Sequence, residues 1–446
     1  MLITNANLIT WGSENQILTG YAIYIKGDKI HEIAPEAELV QRYPNMTRVD
    51  ARGQFVMPGN ICGHTHFYGA FSRGMAIPGE APKDFLQILD KLWWNLDKAL
   101  LEEDVRSSAL VCLVDAIKHG TTTLIDHHAS PSFIDGSLDV VADAVTKSGL
   151  RASLCYEVTD RDGEAKMQAG IDENVRFIKR LQAQPESRLA ASFGLHAGLT
   201  LSDATLDKCA AALPSGSGFH IHAAEGLADQ DDSLARSGLR VIDRLEKHGI
   251  LGGKSIAAHA IHVDAREIEI LADTGTWVTH QPRSNMNNAV GVSPVESLLR
   301  AGVKVGLGND GFSNTMWDEW KATYLLHKSA NGDPRRMGGY TVKELAIENN
   351  AALAKVFFPE APLAEVSVGA FADLIFVDYH PITEMTAGNL PWHILFGFNE
   401  SMITTTIVGG EILMKDRELL TLDEAEIAAK SREVSASAWK RYQDMF

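Results

Sequence analysis

Between residues 55 and 311, short apolar runs alternate with longer amphipathic stretches, and this alternation restricts the fold more than any other feature of the chain. The runs are Phe55–His66, Thr121–His128, Arg151–Thr159, Leu189–Ala197, Gly218–Glu225, Ser255–His262, Thr276–Pro282 and Lys304–Gly311. Each is β-branched or small in character, so each reads as a strand buried on both faces. Between them Glu102–His119, Gly136–Ser148, Gly170–Ala183, Asp203–Leu213, Gly238–His248, Ala265–Thr274 and Pro294–Ala301 have helical spacing. Asp264 and Ser293 stand where N-caps belong, because a short oxygen-bearing side chain there accepts a bond from a free first-turn N–H. Gly120, Gly149, Gly249, Gly275 and Gly302 close helices just before the next strand, where left-handed backbone favours glycine. Strand–helix units repeated in this way predict a (β/α)8 TIM barrel.

The two ends of the chain depart from that pattern. Leu2–Thr10 and Tyr21–Ile25 are β-rich, and Lys26-Gly27-Asp28-Lys29 is a hairpin signal. After Gly369, Asp373–Asp378, Ile403–Val408 and Ile412–Lys415 read as strands, the last two joined by a turn at Gly409-Gly410. Domain termini often lie close together. Residues 1–57 and 362–416 are therefore expected to build one small β-sandwich domain beside a barrel spanning 58–361. Residues 417–446 read as a helical tail docked through Ala428, Val434, Ala438 and Trp439.

Composition narrows the function. The chain has 446 residues, 45% hydrophobic and 22% charged, with a net charge of −17. A duplex binder needs cations to neutralise phosphates, so nucleic acid is disfavoured, as is an anionic membrane surface. No apolar run approaches the ~20 residues of a spanning helix. The start lacks a basic segment followed by an apolar one, so no signal peptide is expected. Four widely spaced cysteines without a Cys-x-x-Cys argue against a disulfide scaffold and a thiolate zinc site. A cytoplasmic protein with a small-molecule partner is the expectation.

The histidines fall at strand ends. His64-Thr65-His66 ends the first run, and residues two apart on a strand share a face. His127 and His128 end the second, and His196 the fourth. His220, His222 and Glu225 end the fifth, and His259 and His262 the sixth. His280 lies on the seventh, and Asp310 ends the eighth. The C-terminal ends of barrel strands meet at one rim, where barrel active sites are built. Imidazole and carboxylate together suit a divalent first-row ion, which lowers the pKa of a water it holds toward ~7. A lone strand histidine is more often an ordinary core or surface residue. His31, His119, His248, His327, His380 and His393 take that reading.

The set resembles the amidohydrolase superfamily, in its cytosine deaminase-like branch of aminohydrolases and chlorohydrolases. The segments that carry the resemblance include Val56-Met57-Pro58-Gly59, His64-Thr65-His66, His220-Ile221-His222-Ala223-Ala224-Glu225, His259-Ala260-Ile261-His262 and Leu307-Gly308-Asn309-Asp310-Gly311. Leu92-Trp93-Trp94, Ile125–Pro131 and Arg283-Ser284-Asn285-Met286-Asn287-Asn288 look most like the SsnA group of aminohydrolases. The resemblance implies His64, His66, His222 and Asp310 as metal ligands and Glu225 as the acid/base. It implies His259 as the residue that holds the attacking water or polarises the reacting group. It also implies a homo-oligomer, by analogy a dimer. Two-metal relatives commonly carry a carbamylated lysine at the end of strand four. Here that strand ends in His196, so one metal is expected, zinc or alternatively iron.

The mechanism expected from this set is hydrolytic deamination of an amino-substituted N-heterocycle. Asp310 and His259 partner the attacking water, and Glu225 protonates a ring nitrogen beside the attacked carbon. His196, Trp94 and Arg161 are candidates for substrate binding, with Trp93, Phe67 and Arg73 in the loops after the first strand. Loss of chloride or an amide on the same fold is one alternative, and a non-catalytic binding barrel is another.

Overall fold

The computed structural model describes residues 1–12 and 14–446. Eight parallel strands form the barrel: β1 (Asn60–Thr65), β2 (Thr121–Asp126), β3 (Arg151–Leu154), β4 (Phe193–Ala197), β5 (Phe219–Ala223), β6 (Ile256–His259), β7 (Trp277–His280) and β8 (Val305–Leu307). A short segment, Leu189–Ala191, pairs with β3 just before β4 begins. Two hydrogen-bonded arcs, β1 to β3 and β4 to β8, meet at two seams. At one, Val158 bridges Leu195, and His196 N–H donates to the Val158 carbonyl at 2.9 Å. At the other, the Asn309 and Asp310 N–H groups donate to the His64 carbonyl at 2.9 and 3.1 Å. Gly308 permits that closure, since a Cβ there would lie 2.6 Å from the His64 carbonyl oxygen. The second seam brings Asp310 beside His64.

The strands of the two chain ends join in one nine-stranded sheet. Three strand positions separate Leu374–Val377 from Ile17–Lys26. That is about 14 Å in a flat sheet at roughly 4.8 Å per step. Ala372 N–H nevertheless donates to the Asp28 carbonyl at 2.9 Å, so the sheet curls over. Between its layers lie Ile3, Ile23, Val56, Leu374, Phe376 and Ile407, all buried.

The structure corrects the sequence reading in several places. Phe55–Pro58 is not part of the first barrel strand, because it pairs with Leu374–Val377 in the curled sheet. The apolar run crosses from one sheet to the other at Gly59, where a Cβ would lie 2.2 Å from the Thr122 side chain. The helix expected over Gly238–His248 is present as Val241–Lys247, and a further helix, Leu227–Ser237, precedes it and ends at Gly238 in left-handed backbone. The polar character of Leu227–Ser237 hid it. Helix Val295–Arg300 is preceded by Pro294 at its N-cap, and Ser293 instead donates its hydroxyl to the Ala260 carbonyl at 3.1 Å. Asp264 does cap its helix, accepting from Glu267 N–H at 3.0 Å. Helix Met316–Asn331 had no counterpart in the sequence reading.

The tail helix is Glu424–Gln443, and it docks along Ile427, Ser431, Val434, Ala438 and Tyr442. No helix of the described residues is long and apolar enough to cross a membrane. All four cysteines are buried and unpaired.

Candidate active site

Alternation along β1 points His64 and His66 to the same side, toward the barrel axis. His222 reaches the same point from β5, His259 from the end of β6 and Asp310 from just beyond β8. The backbone is left-handed at Ala224 (φ 51°), His259 (φ 72°) and Asp310 (φ 56°). Non-glycine residues held in that region cost free energy and cluster at functional sites.

The hydrogen bonds behind the imidazoles decide which nitrogens face inward. His66 Nδ1 donates to the His127 carbonyl at 2.6 Å, and His222 Nδ1 donates to the His196 carbonyl at 2.8 Å. A ligating imidazole is neutral and carries one N–H, so in that state both Nε2 atoms present lone pairs. Those two atoms lie 3.2 Å apart. Asp310 Oδ1 is 3.0 Å from His66 Nε2 and 2.9 Å from His64 Nε2. Electron-rich atoms converging so closely form a set that a divalent cation neutralises, and imidazole with carboxylate is a donor set for zinc and its neighbours. The residues fit the ion.

Glu225 and His259 flank this point, with Glu225 Oε2 3.5 Å from His259 Nε2. Burial, reinforced by the charge of Asp310, pushes the Glu225 carboxyl well above the usual carboxylate range. Burial holds His259 down at about 3, so its ring is neutral. Asn285 Nδ2 donates to His259 Nδ1 at 2.9 Å, which leaves the ring proton on Nε2, facing the site. Ser284 Oγ donates to Asp310 Oδ2 at 2.5 Å. Asn288 Nδ2 reaches Ser284 Oγ at 3.3 Å, and Asn288 lines the same cavity as Glu225. One helix, Pro282–Asn287 with its cap Asn288, thus holds Asp310 and His259 and borders the cavity beside Glu225.

A cavity opens from this point, walled by Tyr68, Phe85, Leu89, Trp93, Trp94 and His196. His196 Nδ1 donates to Thr200 Oγ1 at 2.7 Å. Thr200 spends its own hydrogen on the Ala197 carbonyl, so His196 offers an acceptor nitrogen to the cavity. Arg161 lies behind this wall, 5.1 Å from the Trp94 ring and bonded to Asp97 at 2.7 Å. Asp97 itself lines the cavity, and burial raises its carboxyl to about 6. Phe67 is buried in the core, and Arg73 lines a second cavity that also reaches Asp310.

The remaining histidines separate cleanly. His128 faces Ser130, His262 faces the Val290 carbonyl and His280 faces His327, all away from the centre. The six set aside as ordinary lie outside the candidate metal groups. Sequence reasoning missed Glu157, which is buried with neither oxygen hydrogen-bonded. Its Oε1 lies 3.4 Å from His66 Nδ1 and its Oε2 3.7 Å from His196 Nε2. It stands in the third apolar run, where a charged residue in a buried strand is the available signal. Asp97 sits in a helical stretch that carries no such signal.

A parallel barrel with imidazoles and a carboxylate converging at its rim is the layout of a metal-dependent hydrolase. A sequence profile of the amidohydrolase family matches residues 55–413, and the chain belongs to that family. It is 32% identical over 440 residues to 5'-deoxyadenosine deaminase of Methanosarcina acetivorans, covering 97% of this chain and 96% of the relative. It is 29% identical over 437 residues to 5-methylthioadenosine/S-adenosylhomocysteine deaminase of Pelotomaculum thermopropionicum, covering 97% of each. An adenosine deaminase from Xanthomonas campestris, solved with bound zinc, superposes with a TM-score of 0.83 at 22% identity. The match covers 99% of this chain and 98% of that one.

Proposed function

We propose that this protein hydrolytically deaminates a 6-aminopurine carried on a nucleoside-like molecule, releasing ammonia, with one zinc ion held by His64, His66, His222 and Asp310. The observation that carries the reading is the buried Glu225 carboxyl beside this ligand set, with the full-length similarity to deaminases of adenosine analogues as its context. When bound, the ion supplies Lewis acidity that brings the pKa of water toward ~7.

The chain's own residues do the rest. Glu225, protonated before the reaction because its pKa is raised, donates from its carboxyl to the ring nitrogen next to the amino-bearing carbon. That proton makes the carbon electrophilic and the amine a better leaving group. Asp310 accepts one proton of the attacking water and hands it to the departing amine, which leaves as ammonia, while the second water proton restores Glu225. His259 Nε2–H donates to the oxygen as negative charge develops on it. Trp94 and its neighbours exclude water and offer a flat face to the heterocycle. His196 accepts a hydrogen bond from the substrate at Nε2, and Arg161 positions Trp94 and Asp97.

Within this reading the domains are 1–57 with 362–416, 58–361, and 417–446. The barrel carries the chemistry, and the protein is a cytoplasmic dimer. The test is an ammonia-release screen across adenosine analogues, aminopyrimidines and aminotriazines, with metal content measured on the same sample. Turnover is expected for 5'-modified adenosines on zinc-containing protein. No ammonia from any aminated heterocycle, or chloride release from a chlorotriazine in its place, overturns it.

A further inference from the structure

We propose that Cys155 and His220 are positioning residues, which fix the nitrogen that His64 presents to the metal centre. The inference rests on reading that centre as a metal site, and it concerns residues to which no role has been given. His64 Nδ1 and His220 Nε2 lie 2.8 Å apart in a fully buried contact. Two imidazole nitrogens at that distance share one hydrogen, and either could own it.

The far side of His220 settles the ownership. Cys155 Sγ lies 3.5 Å from the Asp126 carbonyl and 3.9 Å from His220 Nδ1. The Asp126 carbonyl only accepts and is the nearer of the two, so the thiol hydrogen goes to Asp126. Burial keeps that thiol protonated, so it has a hydrogen to give. The sulfur then offers only lone pairs to His220, and Nδ1–H donates to it. A neutral ring has one N–H, so His220 Nε2 is an acceptor. His64 Nδ1 donates to it, and His64 Nε2 is left with its lone pair toward Asp310 Oδ1 at 2.9 Å.

The reverse order of donors would place a proton on His64 Nε2 and remove it as a ligand, because ligating nitrogens must be unprotonated. His66 and His222 reach the same tautomer through a single carbonyl each. His64 has no carbonyl behind it and needs this three-member chain. His127 keeps the ring of His220 in place, stacked at 4.4 Å with its Nε2–H on the His220 carbonyl at 3.1 Å. Partners behind metal-bound histidines typically change metal affinity or activity 10- to 100-fold when removed.

The experiment compares zinc release from the loaded full-length protein into excess chelator, followed with a colorimetric zinc reagent. The variants are Cys155→Ser, Cys155→Val and His220→Phe. Serine is smaller than cysteine but still donates to Asp126 and accepts from His220. Valine nearly preserves the packing but does neither. Positioning predicts release from Cys155→Ser within about 3-fold of wild type, and from Cys155→Val and His220→Phe faster by ~10- to 100-fold. A packing role predicts the opposite order for the two Cys155 variants. That opposite order, equal release from all proteins, or a wild type that takes up no zinc overturns the inference. Failure of the ammonia screen with the release order intact would sink the substrate reading alone.

Discussion

At the scale of single residues, Glu225 bears the most weight. It is buried beside Asp310, and both effects favour its protonated form. Glu225→Gln keeps the shape and removes the transferable proton. Its kcat is expected to fall ~10²- to 10⁴-fold while zinc content stays at the wild-type level. Near-wild-type turnover would remove Glu225 from the chemistry.

Asp229 gives a pH signature that does not depend on catalysis. It is buried at the cavity wall, accepts Ala224 N–H at 2.8 Å, and is raised by burial from 3.8 to about 6. Between these values the folded protein keeps a proton that the unfolded chain has lost. Stability therefore falls as pH rises across that window, by up to roughly 1.4 kcal/mol per pH unit, and levels off above about pH 6. Asp229→Asn keeps an acceptor for Ala224, and its urea-unfolding curves at pH 4, 5, 6 and 7 should show a correspondingly shallower slope. An unchanged slope would place the titration elsewhere.

Residue-level legibility follows the same physics. His64, His66, His222 and Asp310 could be read because strand ends of a barrel share one rim, a rule that needs only sequence order. The contact of His220 with His64 could not, since it depends on side-chain direction between strands that are not neighbours.

At the scale of elements, Pro282–Asn287 is a short helix with a wide reach. Ser284 and Asn285, on one turn, bond Asp310 and His259, and Asn288, a turn later, bonds Ser284 and borders the cavity beside Glu225. The sequence displayed this segment only as a resemblance, because short polar residues after a strand look like any loop. Ser284→Ala leaves Asp310 Oδ2 without its donor. We expect a ~10- to 100-fold loss in kcat or zinc affinity with the fold intact, measured by steady-state kinetics and chelator competition. Wild-type values in both would make the 2.5 Å contact incidental.

Element boundaries were least legible where two sheets share one apolar run. Phe55–His66 is continuous in hydrophobicity, and only the steric demand at Gly59 divides it. The curled β-sheet was legible in outline because Gly409-Gly410, both with positive φ, mark a two-residue hairpin.

At the scale of the whole molecule, the C-terminal tail is tied to the catalytic wall. Trp439 Nε1 donates to the Phe71 carbonyl at 2.7 Å, Arg441 Nε to the Ala99 carbonyl at 2.7 Å, and Tyr442 OH to the Lys91 carbonyl at 2.6 Å. Arg441 also pairs with Asp104. The Lys91 and Ala99 carbonyls bracket Trp93, Trp94 and Asp97, which form one side of the cavity. The metal ligands are held separately, by the barrel strands. The tail and the ligands therefore act on different parts of the reaction. Removing residues 422–446, or changing Arg441 and Tyr442 together to Ala and Phe, should loosen the aromatic wall and leave the zinc site alone. The expected result is a KM raised ~10-fold or more with kcat changed less and zinc content unchanged, because the lost interactions bind ground state and transition state alike. A kcat that falls with KM constant would mean that the tail reaches the ligand set. Unchanged kinetics in the truncated protein would mean that the wall stands without it.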